Sequence, residues 1–208
     1  MLFYLAPMEG ITGYIVRNAY AHYFPYIDKY FTPFIPAAKK MSKKIKRDLA
    51  AENNEQIRLV PQLIGNRADE FLMMIRQLEE LGFTSVNLNF GCPSGTVVSK
   101  RKGAGFLADP KELEMLLEEV LENSPLAVSV KTRVGIKDPD EWEALCGVYA
   151  KFPLEELIIH PRLQNDYYSG TPRMETFARA LEQIHVPLCY NGDICSVEDY
   201  KKEIGRAS

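Results

Sequence analysis

The sequence predicts an α/β fold, a TIM-type (β/α)8 barrel that is incomplete, with about seven strand-helix units in one domain over residues 1–208. Short apolar runs rich in β-branched and aromatic residues alternate with amphipathic stretches, as buried parallel strands alternate with the helices that cover them. Polar side chains follow the carboxyl ends of many strands, which suits a barrel, where all those ends converge on one face. An open doubly wound sheet would gather ligands mainly at one switch point, and no GxGxxG run follows the first strand.

The strand candidates are Leu2–Pro7, Asp28–Phe34, Leu59–Ile64, Ser85–Phe90, Ala127–Thr132, Glu156–His160 and Pro187–Asn191. Their starts lie about 25–40 residues apart, which accommodates a helix between successive strands. Three helix starts are marked by capping residues. Asp109-Pro110 precedes Glu112, Asp138-Pro139 precedes Glu141, and Ser196 precedes Asp199. Behind Asp109, the residues Leu113, Leu116, Leu117, Val120 and Leu121 recur at helical spacing and predict a buried face. An eighth strand is not visible before Ser208, and a barrel takes about 250 residues. The chain as it stands is expected to leave strands one and seven without their common neighbour, with unpaired edges.

The net charge of −3 and the hydrophobic fraction of 46% are those of an ordinary globular protein. Cys92, Cys146, Cys189 and Cys195 show neither CxxC nor zinc-ligand spacing, so no metal is expected and a reducing cytoplasm fits. The opening Met1–Pro7 has no charged leader, and no apolar run approaches bilayer length, so no membrane is expected either. Two basic clusters stand out, Lys39, Lys40, Lys43, Lys44, Lys46 and Arg47, and then Lys100-Arg101-Lys102. Each reads as a solvated face or as a phosphate contact, and composition does not choose between them.

Candidate chemistry sits at the strand ends. Lys131 closes an apolar run, where an ammonium either reaches a polar site or snorkels to the rim. A fixed ammonium is what an electron-rich ring needs when it becomes anionic. Gln62 offers an amide to the edge of a planar heterocycle or to neighbouring backbone. His160 ends a core strand, as a satisfied core histidine or a site residue. Asn191-Gly192-Asp193 leads into the helix that Ser196 opens, a turn that can also present backbone N–H groups to a phosphate. Cys92 lies in Gly91-Cys92-Pro93 just past a buried strand, which puts a thiol at the active face. A buried structural cysteine more commonly lies inside an element, as Cys146 and Cys189 do in this reading.

In order along the chain stand Leu5-Ala6-Pro7-Met8-Glu9-Gly10, Pro61-Gln62-Leu63, Asn87-Leu88-Asn89-Phe90-Gly91-Cys92-Pro93, Val130-Lys131-Thr132-Arg133, His160-Pro161-Arg162 and Asn191-Gly192-Asp193-Ile194. The ordered set resembles the tRNA-dihydrouridine synthases over essentially the whole chain. The resemblance implies an FMN-dependent barrel enzyme that uses NADPH to reduce a uridine in tRNA to 5,6-dihydrouridine. Pro7, Met8 and Glu9 then match the segment against the flavin, Gln62 an isoalloxazine contact, and Lys131 the lysine at the N1/O2 edge. His160 matches a further cofactor contact, and Asn191, Gly192 and Asp193 part of the phosphate site. Cys92 matches the general acid, Asn89 a residue holding the uracil, and Arg133 a substrate contact. The base is flipped out to reach the flavin, and both basic clusters become RNA contacts.

The chain departs from the family pattern in two places. The family continues into an eighth strand with a Gly-Arg-Gly phosphate motif and a helical tRNA-binding domain; Gly205-Arg206-Ala207 is only a faint echo of that motif. Weak FMN binding and little turnover are therefore expected of these 208 residues. Pro161 replaces the usual glycine, a change that can shift Arg162 and leaves its role open. Two other readings remain at this point, an FMN barrel oxidoreductase acting on a free pyrimidine and a non-catalytic RNA-binding remnant.

Overall fold

A computed structural model describes residues 1–204, with the side chains of residues 1–201; the Gly205-Arg206-Ala207 run lies outside the described residues. The chain falls into two compact units, Met1–Asn89 with Glu119–Val128 and Phe90–Glu118 with Ser129–Ser208.

In the first unit, β1 (Tyr4–Leu5), β2 (Lys29–Phe31) and β4 (Leu59–Val60) pair in parallel in that order. A second parallel set joins β3 (Ile35–Pro36), β5 (Gln62–Ile64) and β6 (Ser85–Phe90). The expected strand Leu59–Ile64 is thus two strands divided at Pro61, which has no N–H to give to a ladder. Its carbonyl still accepts from Asn87 N at 2.9 Å. The expected strand Asp28–Phe34 ends at Phe31, and β3 resumes after Pro33. Gln62 N donates to Thr32 Oγ1 at 3.0 Å and ties the two breaks together. The helices are α1 (Tyr14–Tyr23), α2 (Lys43–Leu49) and α3 (Ala68–Glu80). On α3 the residues Phe71, Met74, Ile75 and Leu78 are fully buried, the stripe that helical spacing dictates.

In the second unit, β7 (Ala127–Arg133), β8 (Leu157–His160) and β9 (Leu188–Tyr190) are parallel, with Arg133 opposite His160 and Ile159 opposite Tyr190. A short α4 (Gly95–Val98) leads to a 3-10 segment at Gly103–Ala108 and then to α5 (Pro110–Asn123). Asp109 caps α5 as expected, its Oδ1 accepting from Lys111 N at 3.0 Å and Glu112 N at 3.2 Å. Leu113, Leu116, Leu117 and Val120 are buried, and Leu121 is half-buried. Glu112 departs from the expected capping box, because its carboxylate accepts from Arg101 Nη2 at 2.7 Å.

The helix expected after Asp138-Pro139 begins later, as α6 (Glu141–Tyr149). The Glu141 carboxylate collects the N–H groups of Ile136, Lys137 and Asp138 at 2.5, 3.2 and 3.1 Å, which folds the preceding turn against the helix. After α7 (Met174–Gln183), α8 (Val197–Ile204) closes the described chain. Its cap is reciprocal. Asp199 N donates to Ser196 Oγ at 3.0 Å, and Cys195 N donates to Asp199 Oδ2 at 3.1 Å. Among the described residues, no helix is long and apolar enough to cross a membrane.

Candidate active site

The first unit contributes an amide relay. Gln62 is fully buried on β5, directly opposite Asn87 of β6. Its Nε2 donates to Asn87 Oδ1 at 2.8 Å, and its Oε1 accepts from Asn89 Nδ2 at 2.8 Å. Asn87 and Asn89 are two apart on a strand and so share a face, which is why one glutamine bridges both. The sequence reading that named Gln62 and Asn89 separately missed that they are bonded to each other.

The Pro7-Met8-Glu9 segment follows β1, with Pro7 half-buried and Met8 and Glu9 exposed. Thr12 closes the turn. Its Oγ1 accepts from Met8 N at 2.9 Å, and its backbone N donates to Met8 O at 3.0 Å. Gly10 sits inside at φ +74°, where only glycine is unstrained. Arg17, which sequence reasoning did not single out, anchors this turn. It is fully buried and donates to Thr12 O at 2.7 Å, Asp48 Oδ2 at 3.0 Å, Asp48 O at 2.9 Å and Asn54 Oδ1 at 2.9 Å.

The second unit brings Cys92, Lys131, Arg133, His160 and Asp193 into one cluster. Lys131 is half-buried on β7, opposite Ile158, which is in turn opposite Cys189 of β9. Burial, followed by the Arg133 charge, pulls its ammonium down to about 8, while Cys189 and Cys92 pull it back up. Among the described residues, no carboxylate forms an ion pair with Lys131. A cation desolvated in this way, facing another cation and two thiols, has an unmet demand for negative charge.

Cys92 is half-buried. Its carbonyl accepts from Ala104 N at 3.0 Å, and Gln164 Nε2 donates to the next carbonyl, Pro93 O, at 3.3 Å. Gly103 makes the close approach possible. At φ +54°, a Cβ there would stand 2.8 Å from Cys92 O and 2.9 Å from Cys92 Cβ. The Lys100-Arg101-Lys102 run therefore leads straight to the segment that backs Cys92, and its Arg101 is paired with Glu112 in solvent. The six basic residues from Lys39 to Arg47 are all exposed.

Two buried arginines organise the loop after β8. Arg133 donates to Gly91 O at 3.0 Å, Leu163 O at 2.8 Å and Tyr167 O at 2.6 Å. The structure thus commits the expected substrate contact to backbone carbonyls, and through Gly91 it fixes the residue before Cys92. Arg162 is also fully buried. It donates to Ser169 O at 3.1 Å and Gly170 O at 2.5 Å, and takes both oxygens of Asp193 at 2.7 and 2.5 Å. Its Nη1 also lies 3.2 Å from His160 Nε2.

Two features of the Asn191-Gly192-Asp193 turn bear on the phosphate site expected of it. The Asp193 carboxylate is held by Arg162, which keeps it below its ordinary pKa and so ionised, and an ionised carboxylate repels phosphate. The first turn of α8 carries Glu198 and Asp199, which already supply the negative charge that a helix start prefers. Gly192 is required by packing as well, because a Cβ there would collide with the Tyr190 hydroxyl. His160 is buried, and burial, then the charges of Lys131, Arg133 and Arg162, push it down to about 3, so its ring is neutral.

The donor set fits a flavin mononucleotide. In the second unit, a desolvated ammonium with no carboxylate ion pair among the described residues suits an anionic ring edge, and a neutral imidazole suits the polar rim of a planar heterocycle. Residues 4–206 match the family model described as Dihydrouridine synthase (Dus). The chain is 31% identical over 207 residues to the tRNA-dihydrouridine(16) synthase of Pseudomonas putida, covering 95% of this chain and 64% of the relative. It is 32% identical over 171 residues to the tRNA-dihydrouridine(20/20a) synthase of Vibrio parahaemolyticus, covering 75% and 52%. It is 27% identical over 201 residues to tRNA-dihydrouridine synthase B of Pasteurella multocida, covering 95% and 60%. The chain thus spans less than two thirds of the length of these relatives. A solved structure, a variant of NCR from Zymomonas mobilis, superposes with a TM-score of 0.62 at 11% identity, covering 99% of this chain and 78% of that one. That likeness shows the fold, the α/β barrel type with parallel strands.

Proposed function

The chain belongs to the dihydrouridine synthase family, and from that premise we propose that it reduces a uridine of tRNA to 5,6-dihydrouridine, with Cys92 as the proton donor. The observation that carries the reading is Lys131, a desolvated ammonium beside Cys92 with no carboxylate partner among the described residues. FMN, when bound, supplies the hydride that reaches C6 of the uracil ring, and NADPH replenishes it.

The protein's own residues do the rest. Cys92 Sγ–H gives its proton to C5, on a carbon that needs a donor placed close to the ring, and is left as a thiolate. Lys131 stabilises that thiolate, and with FMN bound it would hold negative charge at the N1/O2 edge of the ring system, an electrostatic contribution. The Gln62–Asn89 relay supplies oriented amides, Gln62 to the isoalloxazine and Asn89 to the uracil. Pro7, Met8 and Glu9 would lie against the flavin, and the backbone of Asn191 and Gly192 would serve its phosphate. The exposed lysines from Lys39 to Lys46, with Arg47, meet RNA phosphates, a contact that weakens as salt rises. A reducing cytoplasm suits a reaction that depends on a free thiol.

The test uses unmodified tRNA with FMN and NADPH, and reads dihydrouridine in a nuclease digest by mass spectrometry. Cys92→Ala is expected to lower the rate by about 10²–10⁴-fold while the flavin absorption band of the bound protein stays in place. A loss of that band would reassign Cys92 to holding the cofactor. Reduction of free uridine as fast as tRNA would overturn the RNA substrate.

A further inference from the structure

The Arg162 guanidinium is fully buried and surrounded on several sides by acceptors from three segments. Both Asp193 oxygens lie against it, the carbonyls of Ser169 and Gly170 close it off, and His160 Nε2 faces Nη1. A guanidinium carries only donors and does not deprotonate in a protein. A hydrogen bond between Nη1 and Nε2 therefore has one polarity, with Arg162 donating and the ring nitrogen accepting. The imidazole proton is then confined to Nδ1.

We propose that Arg162, clamped by Asp193, is a positioning residue that fixes His160 as the neutral tautomer protonated on Nδ1. The clamp matters because of what surrounds the ring. Lys131, Arg133, Arg162 and Asp193 are the charged groups that act on His160, three cations against one anion. That balance disfavours an imidazolium but leaves either neutral tautomer open. Arg162 chooses between them. The register explains how it reaches the ring: His160 ends β8, Arg162 follows two residues later, and Arg162 N donates back to His160 O at 2.7 Å. Asp193 lies just beyond β9, the strand paired with β8, so its carboxylate meets the guanidinium from the neighbouring strand end.

The consequence is a histidine whose Nδ1 carries a neutral N–H across the physiological pH range. Charge stabilisation is left to Lys131. Asp193, expected to touch a cofactor phosphate, acts through Arg162 instead. This inference rests on the flavin reading only for the identity of the ligand; the tautomer is a property of the protein alone.

The test is 15N-resolved NMR of the imidazole nitrogens in the flavin-free chain, with His160→Gln used to assign the His160 signals. At pH 7 the wild-type ring is expected to show a protonated Nδ1 and a bare Nε2. Protonation on Nε2, or on both nitrogens, would overturn the proposal. In Asp193→Asn, whose carboxylate is half in solvent, the Nε2–H form is expected to appear beside the Nδ1–H form. An unchanged spectrum in that variant would remove Asp193 from the device. Arg162→Leu is expected to lose the preference and Arg162→Lys to recover part of it. If Arg162→Leu does not fold, the wild-type and Asp193→Asn spectra decide. Because no flavin, tRNA or turnover enters the measurement, failure here leaves the proposed reaction standing, and loss of turnover with the tautomer intact leaves this inference standing.

Discussion

In the first unit, the Arg17 guanidinium is buried beside Asp48, two backbone carbonyls and the Asn54 amide, so its charge and four of its donor contacts are answered. In the second unit, the Lys131 ammonium is desolvated beside another cation and two thiols, with no carboxylate ion-paired to it among the described residues. Arg17 lies in α1 and Lys131 in β7. Burial lowers the pKa of each; at Arg17 the Asp48 carboxylate opposes the shift, and at Lys131 only the two cysteines do. The difference separates a cation that holds a fold together from one that waits for a ligand. Removing the first leaves orphaned partners, and removing the second relieves an uncompensated cost.

The largest expected effect breaks the comparison from the Arg17 side. Arg17→Met strands the Asp48 carboxylate and the carbonyls of Thr12 and Asp48, and is expected to destabilise folding by about 3 kcal/mol, read by urea denaturation. A loss below about 1 kcal/mol would mean that Arg17 is no more structural than a surface pair. Lys131→Met goes the other way. At pH 7 it is expected to stabilise the flavin-free chain by about 1–2 kcal/mol, while weakening flavin binding. The gain has a pH window. The folded ammonium titrates at about 8 against an ordinary 10.5, so the cost of burying it is full below 8 and fades as pH rises toward 10.5. Melting curves at pH 7 and pH 10 should therefore converge for the two proteins, and a difference that persists at pH 10 would assign the gain to packing.

These two residues also show how far the sequence could be read. β6 was legible to the residue, because Val86, Leu88 and Phe90 alternate with Ser85, Asn87 and Asn89 along a run that is buried throughout. The division of β4 from β5 was not, since a hydrophobic run does not say which neighbour each half will pair with. Lys131 and His160 could be found because a polar residue at the end of an apolar strand is locally anomalous. Arg133 and Arg162 were visible as residues but not as clamps. Their acceptors are loop carbonyls at Leu163, Tyr167, Ser169 and Gly170, and Tyr167 takes φ +50°, a conformation that its side chain does not announce. Backbone acceptors in an irregular loop carry no residue-type signal. Arg17 was hidden for the same reason, its partners lying more than 30 residues away at Asp48 and Asn54.

The smallest effect concerns the neutral ring next to the unpaired cation. His160 titrates at about 3 in the fold against an ordinary 6.5. As pH falls below 6.5 the unfolded chain takes up a proton on this ring and the folded chain does not, so stability declines through the interval between 6.5 and 3. Between pH 7 and pH 5.5 the decline is expected to be about 1 kcal/mol. The carboxylates in the same cluster do not confuse the measurement. Asp193 and Asp166 are held below their ordinary 3.8 by Arg162 and Arg173, so the stability they contribute is lost only at lower pH. His160→Gln should flatten the pH 5.5–7 interval while leaving the steeper loss below pH 4. If the slope survives the substitution, a different group takes up the proton, and the cations around His160 do not set its charge state. If it disappears, the same excess positive charge that leaves Lys131 unanswered also keeps its neighbouring histidine neutral.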